Sequence, residues 1–150
     1  MSEIPCTLHK RERICSKKLI DALFQGGHSH SISAFPLRLV YMDMTGNHRD
    51  EQCAGADCQA MTTEKPLQEA GPMFMVSVPK RCFKRAVHRN RAKRQVREAY
   101  RCHKFIVADH AVAMAFIWLD SHPHETADVE ARMVTLLHRL NEKLNNAGKK

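Results

Sequence analysis

Apolar residues recur along this chain with two different periods, and the period predicts the type of each element. After a candidate helix cap at Ser16, helical spacing predicts a short first helix over residues 17–25, stopped by Gly26 and Gly27. Alternating apolar positions then predict one strand over residues 32–42, where Pro36 indicates an edge or a bulge. The apolar face of the first helix comprises Leu19, Ile20, Leu23 and Phe24.

The second half of the chain repeats the alternation of strand and helix. Short apolar runs predict strands over residues 73–78 and 112–119, and a long polar helix over residues 85–104 lies between them. Thr126 is the predicted cap of a last helix. Its apolar stripe consists of Val129, Met133, Leu136, Leu137, Leu140 and Leu144.

Residues 44–72 have little periodicity and many turn-forming residues. They predict a flexible insertion between two strands of a single domain that spans residues 1–150.

Composition narrows the class of protein. The net charge is +8 and 43% of residues are hydrophobic, so a folded chain that binds nucleic acid or an anionic membrane surface is favoured over a disordered one. The start of the chain lacks the apolar stretch of a signal peptide, which predicts a cytoplasmic protein with reduced thiols. The six cysteines contain no CxxC pair and the ten histidines are scattered, so no metal ligand is assigned.

The most informative segment is residues 79–104, which holds eleven of the 24 Lys and Arg residues and a single acid, Glu98. On a helical wheel, one side is formed by Ala92, Val96, Ala99 and His103, with Tyr100 at its margin. The opposite side carries Asn90, Arg94, Arg97, Arg101 and Lys104, with Lys93 beside them. A solvated face normally mixes charge signs, so this one predicts a surface that lies along a polyanion.

Two groups of residues leave alternatives open. Ile20 and Phe24 could line a groove or fill the core, and their spacing alone favours the core. Five basic residues near the start of the chain either extend the cationic surface or form a basic flanking tail: Lys10, Arg11, Arg13, Lys17 and Lys18.

The segment HRNRAKRQVREAYR, which runs from His88 to Arg101, resembles the protein subunit of bacterial ribonuclease P. That family carries an RNR signature followed by x-K-R within a basic helix. The preceding SVPKR and the opening LHKRERICSKKLIDALFQGG also resemble the family, and so does FPLRLVY. The resemblance covers about residues 8–42 and 73–140.

The resemblance implies an α+β fold, a small two-layer sandwich of order αβββαβα. Its four-stranded sheet would contain a left-handed crossover through the basic helix, an exception to the usual rule. It implies a ribonucleoprotein that removes the 5′ leader from precursor tRNA. The partners would be the catalytic RNA subunit and precursor tRNA, with no membrane and no protein partner predicted. Catalysis would belong to the RNA, which uses Mg²⁺, and the protein itself would hold no metal and no catalytic residue.

The family's RNA contacts, carried over to matching positions, are Lys80, Arg81, Lys84, Arg85, Arg89, Asn90, Arg91, Lys93, Arg94 and Arg97. The family also binds the single-stranded leader in a cleft between the first helix and the sheet. The residues that match its lining are Ile20, Phe24 and Arg38. Arg38 stands where the family often has an aromatic, and a guanidinium can also stack on bases. The insertion at residues 44–72 is a second departure from the family.

Three other classes remain to be weighed. A non-enzymatic RNA-binding module of ribosomal or chaperone type would present the same cationic helix. A membrane-surface helix needs bulky apolar residues opposite its charges, and the alanines of this helix are too small. A self-sufficient nuclease is disfavoured because no carboxylate cluster accompanies the helix.

Overall fold

The structure, a computed structural model, describes residues 7–25, 27–44 and 71–149. Short 3-10 turns at Lys10–Glu12 and Lys104–Val107 flank the regular elements. In chain order these are α1 (Lys17–Gln25), β1 (His30–Ala34), β2 (Leu37–Asp43), β3 (Met73–Ser77), α2 (Ala86–His103), β4 (Val112–Trp118) and α3 (Thr126–Ala147). The α+β class and the order αβββαβα are therefore confirmed. Residues 45–70, most of the predicted insertion, lie outside the described residues, as does Gly26.

The predicted single strand over residues 32–42 is wrong, because the chain folds there into a hairpin. β1 and β2 pair antiparallel, with Ala34 opposite Leu37, so Phe35 and Pro36 form the turn. The peptide bond between these two residues is cis. Proline has no N–H to give to a ladder, so it is well suited to the turn.

The four strands form one sheet in the order β1-β2-β4-β3. β2 and β4 are antiparallel neighbours at its centre, and β3 lies parallel to β4 at one edge. Since β3 and β4 are consecutive strands, α2 is the helix of a parallel crossover. The left-handed sense of that crossover stays a prediction.

Each face of the sheet has its own apolar cluster. One cluster joins Leu39, Phe116 and Trp118 of the sheet to α2 and α3, and the predicted stripe of α3 lies in it, fully or almost fully buried. The other cluster joins Val40, Met42, Ala113 and Ala115 to Leu23 of α1. The long helices therefore cover one face of the predicted sandwich, and α1 adds a partial layer on the other.

α1 has the predicted ends, whereas α2 is one residue shorter at each end than predicted. α3 is capped by Glu125 rather than Thr126, which is its first helical residue. The Thr126 hydroxyl instead accepts a hydrogen bond from Nε2 of Gln95, at 3.3 Å. The same nitrogen donates to the carbonyl oxygen of His124, at 3.0 Å. Gln95 thus fastens α2 to the start of α3.

Candidate nucleic-acid interface

The inner face of α2 is buried and made mainly of small side chains. Ala92, Val96 and Ala99 are at most 3% exposed, which lets the helix pack closely on the sheet. Tyr100, placed at the margin by the wheel, is fully buried and stacks on Phe74 with ring centroids 4.2 Å apart. The apolar residues of this face are therefore packed on the sheet and are not available to a membrane surface.

His103 was predicted in the core and lies instead at its rim. The His103 side chain is half-buried, and its Nε2 lies 2.7 Å from Oε1 of Glu130 on α3. The core of α2 therefore ends at Tyr100.

The outer face of α2 carries the predicted cations in solvent. Asn90, Arg91, Arg94 and Arg97 are exposed, and Lys93 is half-buried. Like charges one helical turn apart repel, so this face is less favourable in the free protein than one of mixed sign. A polyphosphate that neutralises the charges and releases counterions would offset that cost.

The turn between β3 and α2 extends this surface with four more exposed cations. Cys82 and Phe83 are buried, and the thiol of Cys82 donates to the carbonyl oxygen of Trp118 at 3.5 Å. These two anchors fix the turn against the sheet while its charged residues face solvent. The exposed cations are Lys80, Arg81, Lys84 and Arg85.

Arg89 differs from the other predicted contacts because the folded chain already uses its guanidinium. Its Nη1 donates to the carbonyl oxygens of Phe83 and Lys84, both at 2.8 Å, and the residue is half-buried. These bonds tie the first turn of α2 to the preceding turn. Arg89 therefore has a structural role that the family signature does not reveal.

Lys104 was predicted on the cationic face, and the structure contradicts this. Its side chain is 8% exposed, and Nζ lies 2.9 Å from Oε1 of Glu12 and donates to the carbonyl oxygen of Thr7. The helix ends at His103, so the wheel does not apply to the next residue. Its partners come from residues 7–16, which we call the N-terminal arm.

A groove of about 280 Å³ lies between α1 and the sheet, on the face opposite α2. Phe24, 46% exposed, and Arg38 both line it, as predicted. Ile20 is half-buried and packs with the apolar cluster under α1, in agreement with the preference of its spacing for the core. The other lining residues are Leu23, Ser29, His30, Ser31, Val40 and Ile117.

Sequence reasoning missed the polar wall of this groove. Ser31 pairs with Val40 across the hairpin, and a long contact of 3.5 Å joins its hydroxyl to Nη2 of Arg38. Strand register places these side chains on the groove side, and register could have been inferred only after the hairpin was recognised. The groove thus combines an aromatic ring, a guanidinium and hydroxyl groups.

Neither a metal site nor a membrane span is found in the described part of the chain. Within residues 7–25, 27–44 and 71–149, no three His, Cys, Asp or Glu side chains are grouped to hold a metal ion. None of the helices in the same ranges is long and apolar enough to cross a bilayer.

These features define a small α+β protein with a strongly cationic helix on one side of its sheet and a groove on the other. Residues 8–141 match the model of the family described as Ribonuclease P. The chain is 35% identical over 102 residues to the "Ribonuclease P protein component" of Porphyromonas gingivalis, a match that covers 68% of this chain and 58% of that relative. The chain therefore belongs to the ribonuclease P protein family, although the match spans less than two thirds of the relative's length.

Solved structures of the family share the fold. The RNase P protein of Staphylococcus aureus superimposes with a TM-score of 0.59 at 17% identity, covering 84% of this chain and 92% of that one. The RNase P protein of Thermotoga maritima gives a TM-score of 0.59 at 16% identity, covering 85% and 96%. At such low identity the likeness supports the fold alone.

Proposed function

We propose that this protein is the RNA-binding subunit of ribonuclease P, which removes the 5′ leader from precursor tRNA. The observation that carries the proposal is the pairing, in a member of this family, of a buried inner face of α2 with an outer face of almost one charge sign. Such a helix gains most from a ligand that supplies many phosphates in a row. Its partner is the catalytic RNA.

The proposed contacts with the catalytic RNA come from α2 and the turn before it. Arginine dominates the surface, and its planar fork donates to phosphate oxygens in pairs. Nη1 of Arg89 already donates to two carbonyl oxygens, so Arg89 contributes there only through its other guanidinium nitrogens. The contact residues are Lys80, Arg81, Lys84, Arg85, Arg89, Asn90, Arg91, Lys93, Arg94 and Arg97.

The groove between α1 and the sheet is the proposed site for the single-stranded leader. Phe24 offers a ring to stack on a base, and Arg38 offers a guanidinium plane or a phosphate ligand. The third proposed leader-site residue, Ile20, is half-buried on α1 and packs against the apolar cluster between that helix and the sheet. Stacking tolerates sequence changes, so this site suits leaders of varied sequence.

The chemical step is assigned to the RNA. In this proposal Mg²⁺ binds the RNA subunit, activates water and stabilises the leaving oxygen. The protein binds and orients the two RNAs, and we assign it no catalytic residue. We further propose that it works in the cytoplasm.

A reconstitution assay with a matched pair of variants tests the proposal. Purified protein is added to a bacterial catalytic RNA at low Mg²⁺, and leader removal is measured together with affinity for precursor and mature tRNA. We expect the wild-type protein to accelerate cleavage, and RNA-free protein to cleave nothing. Phe24→Ala should lower the preference for precursor over mature tRNA by about 5- to 150-fold, since one stacked base contributes about 1–3 kcal/mol.

Phe105→Ala is the control, because Phe105 is also exposed, at 55%, and does not line the groove. It should leave the preference unchanged. Equal preferences in the Phe24→Ala and wild-type proteins would remove the leader from this groove. Tight RNA binding without any stimulation of cleavage would favour a non-enzymatic RNA-binding module instead.

A further inference from the structure

A second concavity, of about 490 Å³, lies between the N-terminal arm and the outer face of α2. Leu8 and Arg13 come from the arm, and the other lining residues come from the helix. Those helical residues are Arg94, Arg97, Glu98 and Arg101. Four guanidinium groups from two separate segments of the chain therefore surround one pocket.

The arm reaches this position by extending the sheet. The N–H of Ile14 donates to the carbonyl oxygen of Phe74 at 2.9 Å, and Arg13 forms an isolated parallel bridge with Phe74. The arm thus runs beside the edge strand β3. One strand-like bridge is a weak attachment, because a single backbone hydrogen bond contributes only about 0.5–1.5 kcal/mol.

The ion pair of Glu12 and Lys104 adds a second attachment on the helix side. Lys104 binds Glu12 and the carbonyl oxygen of Thr7, while Oε2 of Glu12 accepts from the N–H of His9 at 2.6 Å. Burying a charge pair seldom adds much net stability, but breaking one by removing a partner is costly. The pair therefore specifies where the arm lies more than it stabilises the fold.

The charges around the pocket do not balance. Glu98 is its one acid, and it is engaged by Arg101, whose Nε donates to Oε2 at 3.0 Å. That hydrogen bond lowers the pKa of the Glu98 carboxyl, so Glu98 is ionised at neutral pH. With four guanidinium groups and one carboxylate, the pocket has an excess of three positive charges. An anionic ligand would relieve the repulsion among them.

We propose that this pocket binds a backbone phosphate of the RNA, with Arg13 acting beside Arg94 and Arg97. Glu12 and Lys104 are positioning residues that hold the arm so that Arg13 faces the helix. The proposal rests on the function proposed above and extends its RNA-binding surface from α2 to the arm. Of the two interpretations of the basic N-terminal residues, this proposal adopts the extended cationic surface, and it does so for Arg13.

The test compares two arginines of the arm. Arg13→Ala and Arg11→Ala remove the same charge from exposed positions on either side of Glu12, and Arg11 does not line the pocket. Affinity for the catalytic RNA is measured in the full-length protein across a salt series. We expect Arg13→Ala to weaken binding about tenfold and to reduce the log–log salt slope by about 0.7–0.9, the contribution of one phosphate. Arg11→Ala should change affinity less than about twofold at ionic strength near 0.15 M, where exposed charges are screened.

The positioning role is tested with a double-mutant cycle. Lys104→Met should weaken RNA binding as much as Arg13→Ala, and the two together should cost no more than either alone. Melting curves check that each variant is folded. If Lys104→Met does not fold, Glu12→Gln, which breaks the same ion pair but keeps the shape of the side chain, serves in its place. Additive losses would overturn the positioning role.

Further variants separate failure of the pocket from failure of the proposed function. Unchanged RNA affinity after Arg94→Ala with Arg97→Ala would overturn the RNA-binding surface itself. A loss with those two variants, combined with equal behaviour of Arg13→Ala and Arg11→Ala, would overturn the pocket alone. A titration with inorganic phosphate is the last measurement. If Arg13→Ala weakens phosphate binding but leaves RNA affinity unchanged, the pocket is a site for the free ion and the proposal is wrong.

Discussion

Helices α2 and α3 lie side by side on the same face of the sheet, and they differ most on the sides that face away from it. Both contribute to one apolar cluster. α3 carries three acidic and three basic residues, counted as Asp, Glu, Lys and Arg over Thr126–Ala147. α2 carries six basic residues and one acid over Ala86–His103. Helical periodicity alone would assign the two helices the same role.

The buried side chains of the two helices also differ in size. α3 buries leucines, a valine and a methionine, whereas α2 buries two alanines, a valine, a glutamine and a tyrosine. Large apolar residues make α3 a main source of core packing. Small residues bring α2 close to the sheet and leave its long basic side chains on the outside. The difference shows that α3 mainly stabilises the fold and that α2 mainly presents charge.

Truncating a buried leucine of α3 is the strongest test of the packing role assigned to this helix. Leu137→Ala should reduce the free energy of unfolding by about 2–5 kcal/mol, because Leu137 is fully buried and a cavity would remain. Chemical denaturation measures the loss. Arg132→Ala, an exposed change on the same helix, is the control and should alter stability by less than about 0.5 kcal/mol. A loss below about 1 kcal/mol for Leu137→Ala would contradict the packing role assigned to α3.

Two neighbouring arginines of α2 should behave differently. Arg89→Ala should cost about 1–3 kcal/mol of stability, because it removes the donor to two backbone carbonyls. Arg91→Ala should stay within about 0.5 kcal/mol, because Arg91 is exposed. Thermal melting and RNA affinity should be measured on the same samples. Equal melting temperatures for the two variants would show that the carbonyl bonds of Arg89 contribute little.

The smallest expected effect concerns the hydroxyl of Tyr100. It is buried and has no hydrogen-bond partner among the described residues. Tyr100→Phe should therefore leave stability at neutral pH unchanged or raise it by up to about 1 kcal/mol. A loss of more than about 1 kcal/mol would indicate a hydrogen bond to this hydroxyl in solution.

The same variant has a pH signature. Burial, with the nearby charge of Glu12, raises the pKa of Tyr100 above its ordinary value of 10.0. The folded state then holds the proton more tightly than the unfolded state, so stability is full below about pH 10 and falls as pH rises further. Tyr100→Phe should therefore lose less stability than the wild-type protein as the pH rises above about 10. Denaturation curves on either side of pH 10 measure the difference, and identical curves for both proteins would contradict the burial of the phenol.

Sequence by itself determined the elements whose periodicity is long and regular. The stripe of α3, the strands around residues 73–78 and 112–119 and the first helix were predicted closely, because core burial imposes a period of 3.6 or 2. The charged side of α2 was equally readable, since side chains that face solvent are not constrained by packing and an excess of one charge sign is visible in the sequence. The hairpin was missed, although Ile32 is out of phase with Leu37 and Leu39 in a single strand.

Tertiary structure alone decided which charges remain available. Arg89 and Lys104 look like other basic residues in the sequence, yet one binds carbonyls of the preceding turn and the other binds Glu12, 92 residues away in the chain. Tertiary contacts likewise decide that Phe24 lines the groove and that Ile20 packs, half-buried, against the apolar cluster between α1 and the sheet. Helical spacing restricts a side chain to one side of its own helix. Contact partners depend on how distant segments pack, and no local pattern contains that information.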